Sequence, residues 1–507
     1  MIVAIANIVL AIIALVRESR LAAFAGTTGT ADAFMLALYL PDLVGNTVLA
    51  GGITFAAVPV LSTYRANGDP EGFKRTLGAT TGLLLMLTLA LSALGWFAAP
   101  FLIARVGAGL SEATRSLTGM LFSCLLPGVP FFVLTALFNS ALYVLGRFAF
   151  PAFGPVVQNL VFLSGLLFLA PILGVEILAI SFTIGTVAMF LLQLLPLMKS
   201  GHLDMPTADW TDPGLRGIVH KSWPVMAGIL LTQPGGIVEK MLASNLVEGS
   251  IAGLSYAFKL SQFPIWVFAA AIGTVIFPAL ALSAGERDFL QFRRVLTEGL
   301  VLTMFICLPF TVVFVILGRP IVSLLFQHGA FDINSLGLTS SVLSTYALGL
   351  GAQGLAYLFL RAFYSLGDMI TPMNVAVVST IVTVASDMFF VRRWGLPGLG
   401  LGTSIGTIVQ AMALGHFLSR RVGYLGRGIV HSIWRIGVAS FSLAAMAYFL
   451  NRLLLRRVEG LDLPTKVWRV GLVLGIGGLV YIAICLALRV PKVRMFWPEV
   501  RPGIRSE

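Results

Sequence analysis

Long apolar runs, broken only by short charged loops, occupy nearly the whole chain. A helix needs about 20 apolar residues to cross the ~30 Å hydrocarbon core of a bilayer. The pattern predicts fourteen such helices. They fall near 2–24, 33–62, 76–106, 117–145, 152–171, 173–198, 217–246, 250–282, 296–326, 338–365, 372–390, 396–420, 430–455 and 466–489. The predicted fold class is all-α, a polytopic membrane protein.

An internal repeat organises these spans. VPVLSTYRANGDPEGFKRTL (58–77) overlays FPALALSAGERDFLQFRRVL (277–296) at an offset of 219, matching Pro59 with Pro278, Asp69 with Asp288 and Lys74-Arg75 with Arg293-Arg294. ALYVLGRFAFP (141–151) overlays AFYSLGDMITP (362–372) at an offset of 221. Chance similarity is common between apolar helices, but matched prolines and loop charges are not. The reading is an N-lobe over 1–198 (spans 1–6), a linker over 199–221 and a C-lobe over 222–428 (spans 7–12). Spans 13–14 and a basic tail follow over 429–507. Copies of six spans insert the same way up, so a solute cleft is expected where the lobes meet.

Composition agrees: 58% of residues are hydrophobic and 11% charged, against about 25% charged in soluble domains. The net charge of +12 is scattered through short loops, which fits an anionic inner leaflet better than nucleic acid. With the N-terminus inside, the inner loops and tail take the larger share of the basic residues. Both termini are therefore expected in the cytoplasm. The three cysteines and five histidines are dispersed, so neither a disulfide framework nor a metal motif is indicated. No catalytic constellation is present: the chain lacks a P-loop, a nucleophile elbow and a paired-acid site in a soluble domain.

Against this apolar background the buried charges stand out. Lys259 is the one full charge within 250–278. Counted from Ser250 it lies roughly 13 Å along the helix, near the bilayer midplane. An ammonium facing lipid there costs roughly 2.5–3.5 kcal/mol or more, so Lys259 should face a polar interior and await an acid or an anionic ligand. In the repeat register its counterpart is Leu40. Arg17 and Arg20 in span 1 lie three residues apart on one face, set either to bind anions in the cleft or to reach headgroups. Asp32, just after Thr30 as a candidate helix cap, reads as a partner for Arg17 or as a helix-start charge. Glu239 in span 7, Thr383 and Asp387 in span 11 and Thr403 in span 12 offer the oxygens a Na⁺ or H⁺ site requires. The alternative puts Asp387 at the outer interface with Arg392 or Arg393.

Taken together, several stretches resemble the MurJ/MviN lipid II flippases of the multidrug/oligosaccharidyl-lipid/polysaccharide exporter superfamily. They are RESRLAAFAGTTGTADAF (17–34), VEKMLASNLVEGSIAGLSYAFKL (238–260), LFQHGAFD (325–332) and RAFYSLGDMITP (361–372). The resemblance implies a fourteen-helix fold of two six-helix lobes with a cationic cavity. It also implies alternating access that carries undecaprenyl-diphosphate-linked peptidoglycan precursor to the outer leaflet of the bacterial inner membrane. Arg17, Asp32 and Lys259 match the family's cavity residues; Lys259 stands where relatives usually carry arginine. Glu239, Thr383, Asp387 and Thr403 resemble a cation site of some relatives, with Na⁺ or H⁺ coupling and no cofactor. The expected partners are the lipid-linked saccharide, the membrane and cell-wall synthesis enzymes, with the chain a monomer. The last two helices are expected to form a groove for the lipid tail.

Two departures qualify the resemblance. Where relatives commonly carry two arginines and then Ala-Glu-Gly, this chain has Gly45-Asn46 and Ala50-Gly51-Gly52. Relatives also usually have extra residues upstream, so the true start is expected before Met1. The first departure keeps open a flippase for another undecaprenyl-diphosphate-linked polysaccharide. A cation-coupled multidrug exporter and a membrane scaffold are the remaining competitors.

Overall fold

The structure is a computed structural model describing residues 2–207, 209–424, 427–454, 462–488 and 490. The expected basic tail after Arg489 lies outside these residues. The first stretch comprises α1 (Ile2–Ala25), α2 (Gly29–Pro41), a π-helical stretch Asp42–Ala50, α3 (Gly51–Ala66), α4 (Pro70–Val106), α5 (Glu112–Leu125) and α6 (Gly128–Val144). It continues through α7 (Ala149–Ser164), a π-helical stretch Gly165–Leu169, α8 (Ala170–Leu173), α9 (Glu176–Lys199), α10 (Pro213–Thr232) and α11 (Pro234–Ser244). Then come α12 (Ser250–Pro264), a π-helical stretch Ile265–Ala269, α13 (Ala270–Gly285), α14 (Phe289–Phe326), α15 (Ile333–Ala347) and α16 (Leu350–Ser365). The chain closes with α17 (Ile370–Trp394), α18 (Leu396–Val422), α19 (Arg427–Leu454) and α20 (Leu463–Ala487). No strand occurs among the described residues.

Among the described residues, ten helical stretches are long and apolar enough to cross a membrane, or twelve if the bent pairs α5–α6 and α15–α16 each count as one span. The two other expected spans also fold as helices, and each carries several full charges. α1 carries Arg17, Glu18 and Arg20, and α10–α11 carry Arg216, Lys221, Glu239 and Lys240 around a break at Gln233-Pro234. As expected, α1 runs on through its charges to Ala25.

The repeat is visible as geometry. Asp69 caps α4 through the Gly72 N–H at 2.8 Å, and Asp288 caps α14 through the Gln291 N–H at 2.9 Å. The bent pairs break by 42° and 50° at corresponding places. Gly68 takes a left-handed φ of 66°, and its counterpart Arg287 takes 58°. A left-handed residue at this point costs a non-glycine side chain roughly 1–2 kcal/mol, so the turn itself has been kept through the duplication.

By packing, the chain divides into one unit of residues 1–252 with 328–332 and a second of 253–327 with 333–507. α10 and α11 thus pack with the first unit, whose core joins Ala56, Leu61, Leu77, Val133, Phe138 and Ile218. One core of the second unit joins Leu280, Phe292, Leu358, Phe363 and Leu414; another sets α14 against α19 and α20 through Met304, Ile436 and Cys485. The linker is anchored rather than loose: the Thr207 N–H donates to the Gly78 carbonyl at 3.2 Å. Its end, Asp212, has a fully buried side chain that accepts from Thr76 (2.9 Å), Arg75 (2.9 Å) and the Leu215 N–H (2.8 Å).

Candidate functional site

In the first unit the charges of α1 are gathered onto α7. The Arg17 guanidinium donates from Nη1 to Asn159 Oδ1 at 2.7 Å, pairs through Nη2 with Glu18, and lies 5.8 Å over the Phe162 ring. Phe162 in turn stacks on Phe34 of α2 at 6.0 Å. Glu18 is only 6% exposed, and the sequence reading does not single it out; the available signal is an acid directly beside an arginine in the RESR stretch. Arg20 is exposed and enters none of these contacts. Ser19 Oγ meets His328 Nε2 at 2.9 Å, which seats the 328–332 segment on α1, reinforced by the Ala330 N–H to the Ala23 carbonyl at 2.7 Å.

Asp32 is 1% exposed and does not partner Arg17. Its Oδ2 accepts from the Gly249 N–H at 2.8 Å and its Oδ1 from the Ala252 N–H at 2.7 Å. The correction has a simple cause. The first N–H groups of a helix have no partner within it and favour negative charge, and the start of α12 supplies two of them. Thr28, not Thr30, caps α2, accepting from the Ala31 N–H at 3.4 Å. The favour is returned from the other side: Glu248 Oε1, just before α12, accepts from the Gly29 N–H at the start of α2 at 2.5 Å. Gly29 and Glu248 are 219 residues apart, the repeat offset, so each copy supplies an acid to the other's helix start.

In the second unit, Lys259 is half-buried on α12. Ser255 lies one turn before it and Gln262 one turn after, both buried, so these positions share its face of the helix. Gln262 forms a reciprocal amide pair with Gln353 of α16, at 3.2 and 3.0 Å.

Of the expected cation-site residues, Glu239 is half-buried on α11 in the first unit, and the other three belong to the second. Asp387 is 0% exposed and faces Gly402 of α18, whose missing side chain makes room for the carboxylate. Thr383 likewise fills the space at Gly406 and donates to the Ser379 carbonyl at 3.0 Å. Thr403 is half-buried, and its carbonyl accepts from Thr407 at 2.8 Å. Arg393, the proposed outer partner of Asp387, lies 4.9 Å over the Phe389 ring. Among the described residues no three His, Cys, Asp or Glu side chains gather as a metal site.

A duplicated chain, helical in its described elements and carrying charged side chains within apolar, interrupted helices, has the build of a multi-pass membrane transporter. The family's sequence profile, lipid II flippase MurJ, matches residues 21–461, and the chain belongs to that family. A lipid II flippase MurJ of Burkholderia cenocepacia is 28% identical over 408 residues, 79% of each chain. A Vibrio cholerae relative, named "Probable lipid II flippase MurJ", is 27% identical and spans 94% of this chain and 93% of its own. Among solved structures, a lipid II flippase MurJ in an inward closed conformation superposes with a TM-score of 0.81 at 24% identity, covering 96% of this chain and 98% of that one. An inward-facing MATE multidrug transporter superposes at 0.72 with 18% identity, covering 82% and 95%. These two superpositions speak to the fold.

Proposed function

We propose that the chain carries lipid II from the inner to the outer leaflet of the bacterial inner membrane by alternating access, with both termini in the cytoplasm. Two lobes rock about each other, and Arg17 and Lys259 engage the diphosphate. The observation that carries this reading is Lys259, a cation on the half-buried polar stripe of a 36-residue apolar helix. Family membership supplies the substrate class. Arg17, braced by Asn159 and Glu18, presents a preorganised guanidinium suited to phosphate oxygens. Na⁺ or H⁺, acting through Glu239, Thr383, Asp387 and Thr403, or the membrane potential drives the cycle; one charge moved through 100 mV is worth about 2.3 kcal/mol. The chain works as a monomer alongside cell-wall synthesis enzymes.

In a strain depleted of its own flippase, Lys259→Ala is expected to abolish complementation and Lys259→Arg to restore it. Growth of the alanine variant at normal expression would remove the mechanism. One observation favours a second reading, a different diphosphate-linked saccharide. A side chain on Gly51 would press on Ile229 of α10, and one on Gly45 would press on Val129, so packing crowds two of the places where relatives carry charges. A swap of lipid-linked substrates in reconstituted vesicles separates the two readings.

A further inference from the structure

The second unit holds a cavity of about 590 Å³ walled by α14, α16, α18 and the start of α19. That is within the roughly 300–1,000 Å³ range of small-molecule pockets. Its walls are apolar along most of their length, including Met304, Leu355, Phe359, Ile408 and Met412. It exists because α19, the next helix after α18, packs chiefly on α14, leaving a gap beside α18. From Ile408 to Ser419 the groove runs about 16 Å along the helix, close to half the ~30 Å core. Its length is thus that of one leaflet.

The end of the groove is polar and basic. His416, Ser419 and Tyr424 line it, and Arg420, next to Ser419, is exposed. Arg293 Nη1 lies beside Gly423, 2.6 Å from where a Cβ would sit. Arg421 adds an ion pair with Asp368 at 2.9 Å, so the cations here outnumber the acid. We infer that this groove holds a resident anionic glycerophospholipid, one acyl chain between α18 and α19 and the phosphate on the arginines. Basic pockets between membrane helices bind such headgroups. Neither α12, which carries Lys259, nor α13 nor α20 contributes a lining residue, and of the two closing helices only α19 does.

The test uses the full chain, purified in mild detergent, with native mass spectrometry for retained lipid and thermal unfolding for added phosphatidylglycerol or phosphatidylcholine. The wild type is expected to keep a single phospholipid and to gain stability from phosphatidylglycerol only, as linkage requires of a ligand bound to the folded state. Met412→Trp fills the groove from a 62% exposed position. It should fold, lose the retained lipid and lose the gain. Ile408→Trp serves as a second filler should the first misfold, and Arg420→Gln should weaken phosphatidylglycerol binding by about fivefold or more, the ~1 kcal/mol scale of a surface arginine–anion contact. A retained polyprenyl lipid in place of phospholipid overturns the inference. So does an equal gain from phosphatidylcholine, full retention by both filled variants, or no retained lipid and no gain in the wild type.

Discussion

Asp32 sits in the first turn of its own helix, yet its carboxylate serves the start of another. Each oxygen takes one N–H, so the two bonds can be lost in steps. Asp32→Asn keeps a single acceptor oxygen and Asp32→Ala keeps none. Stranding a buried N–H costs about 1–3 kcal/mol, so the alanine variant should unfold at a clearly lower temperature and the asparagine variant at an intermediate one. Equal melting for all three proteins would show that the caps contribute nothing. At Arg17 a lysine retains the charge but not the fork that reaches Asn159 and Glu18 together. Sequence pattern alone could mark Asp32 and Arg17 as out of place among apolar residues. It could not pair them, because Asp32's partners are backbone N–H groups some 220 positions away and carry no side-chain signature.

Glycines let the linker lie against α4. A side chain on Gly82 would overlap the Thr207 backbone, and one on Gly78 would come within 2.9 Å of the Met205 carbonyl. Gly82→Leu should lift residues 203–207 and expose them to protease, with hydrogen exchange at the Thr207 N–H rising; unchanged protection would refute the seating. The repeat marks 199–221 as a linker between the two copies. Its anchoring was not legible, since glycines in an apolar helix read equally as lipid-facing or packed.

The turn between α16 and α17 offers a pH test. Burial would raise the Asp368 carboxyl, but hydrogen bonds from Thr371, whose N–H lies 3.0 Å away, and the Arg421 charge hold it below its ordinary value. The folded-state value is therefore depressed, and the ionised carboxylate stabilises the fold above the unfolded value of about 3.9. That contribution disappears as pH falls through the folded value. Asp368→Asn should melt below the wild type at neutral pH, and the gap should close as pH falls through the carboxyl's depressed folded value. A gap that persists in acid would rule out the carboxylate charge as its source.

Duplication explains which large features could be read from the chain. Asp69 and Asp288 repeat at a fixed offset, so two copies of one sequence signal reinforce each other, and in the structure the caps, the bent pairs and the left-handed turns at Gly68 and Arg287 repeat with them. Single-copy features lacked that reinforcement: Glu18, the Gln262–Gln353 pair and the lipid groove beside α18 came from the structure. The reciprocal caps fall between these cases, since Gly29 and Glu248 obey the offset but differ in residue type. If transport requires the starts of α2 and α12 to part, a covalent tie there should stop it. In Gly29→Cys/Glu248→Cys, a short cleavable thiol crosslinker should abolish complementation and cleavage should restore it. The uncrosslinked pair should remain active, because Asp32 still caps α12. A matched tie between Thr76→Cys and Asp212→Cys, which only fastens α10 to the helix it already packs on, should leave transport intact. Arrest by both ties would mean that any rigidity inhibits. Arrest by neither would mean that the helix starts stay together throughout the cycle, and the reciprocal caps would then be structural alone.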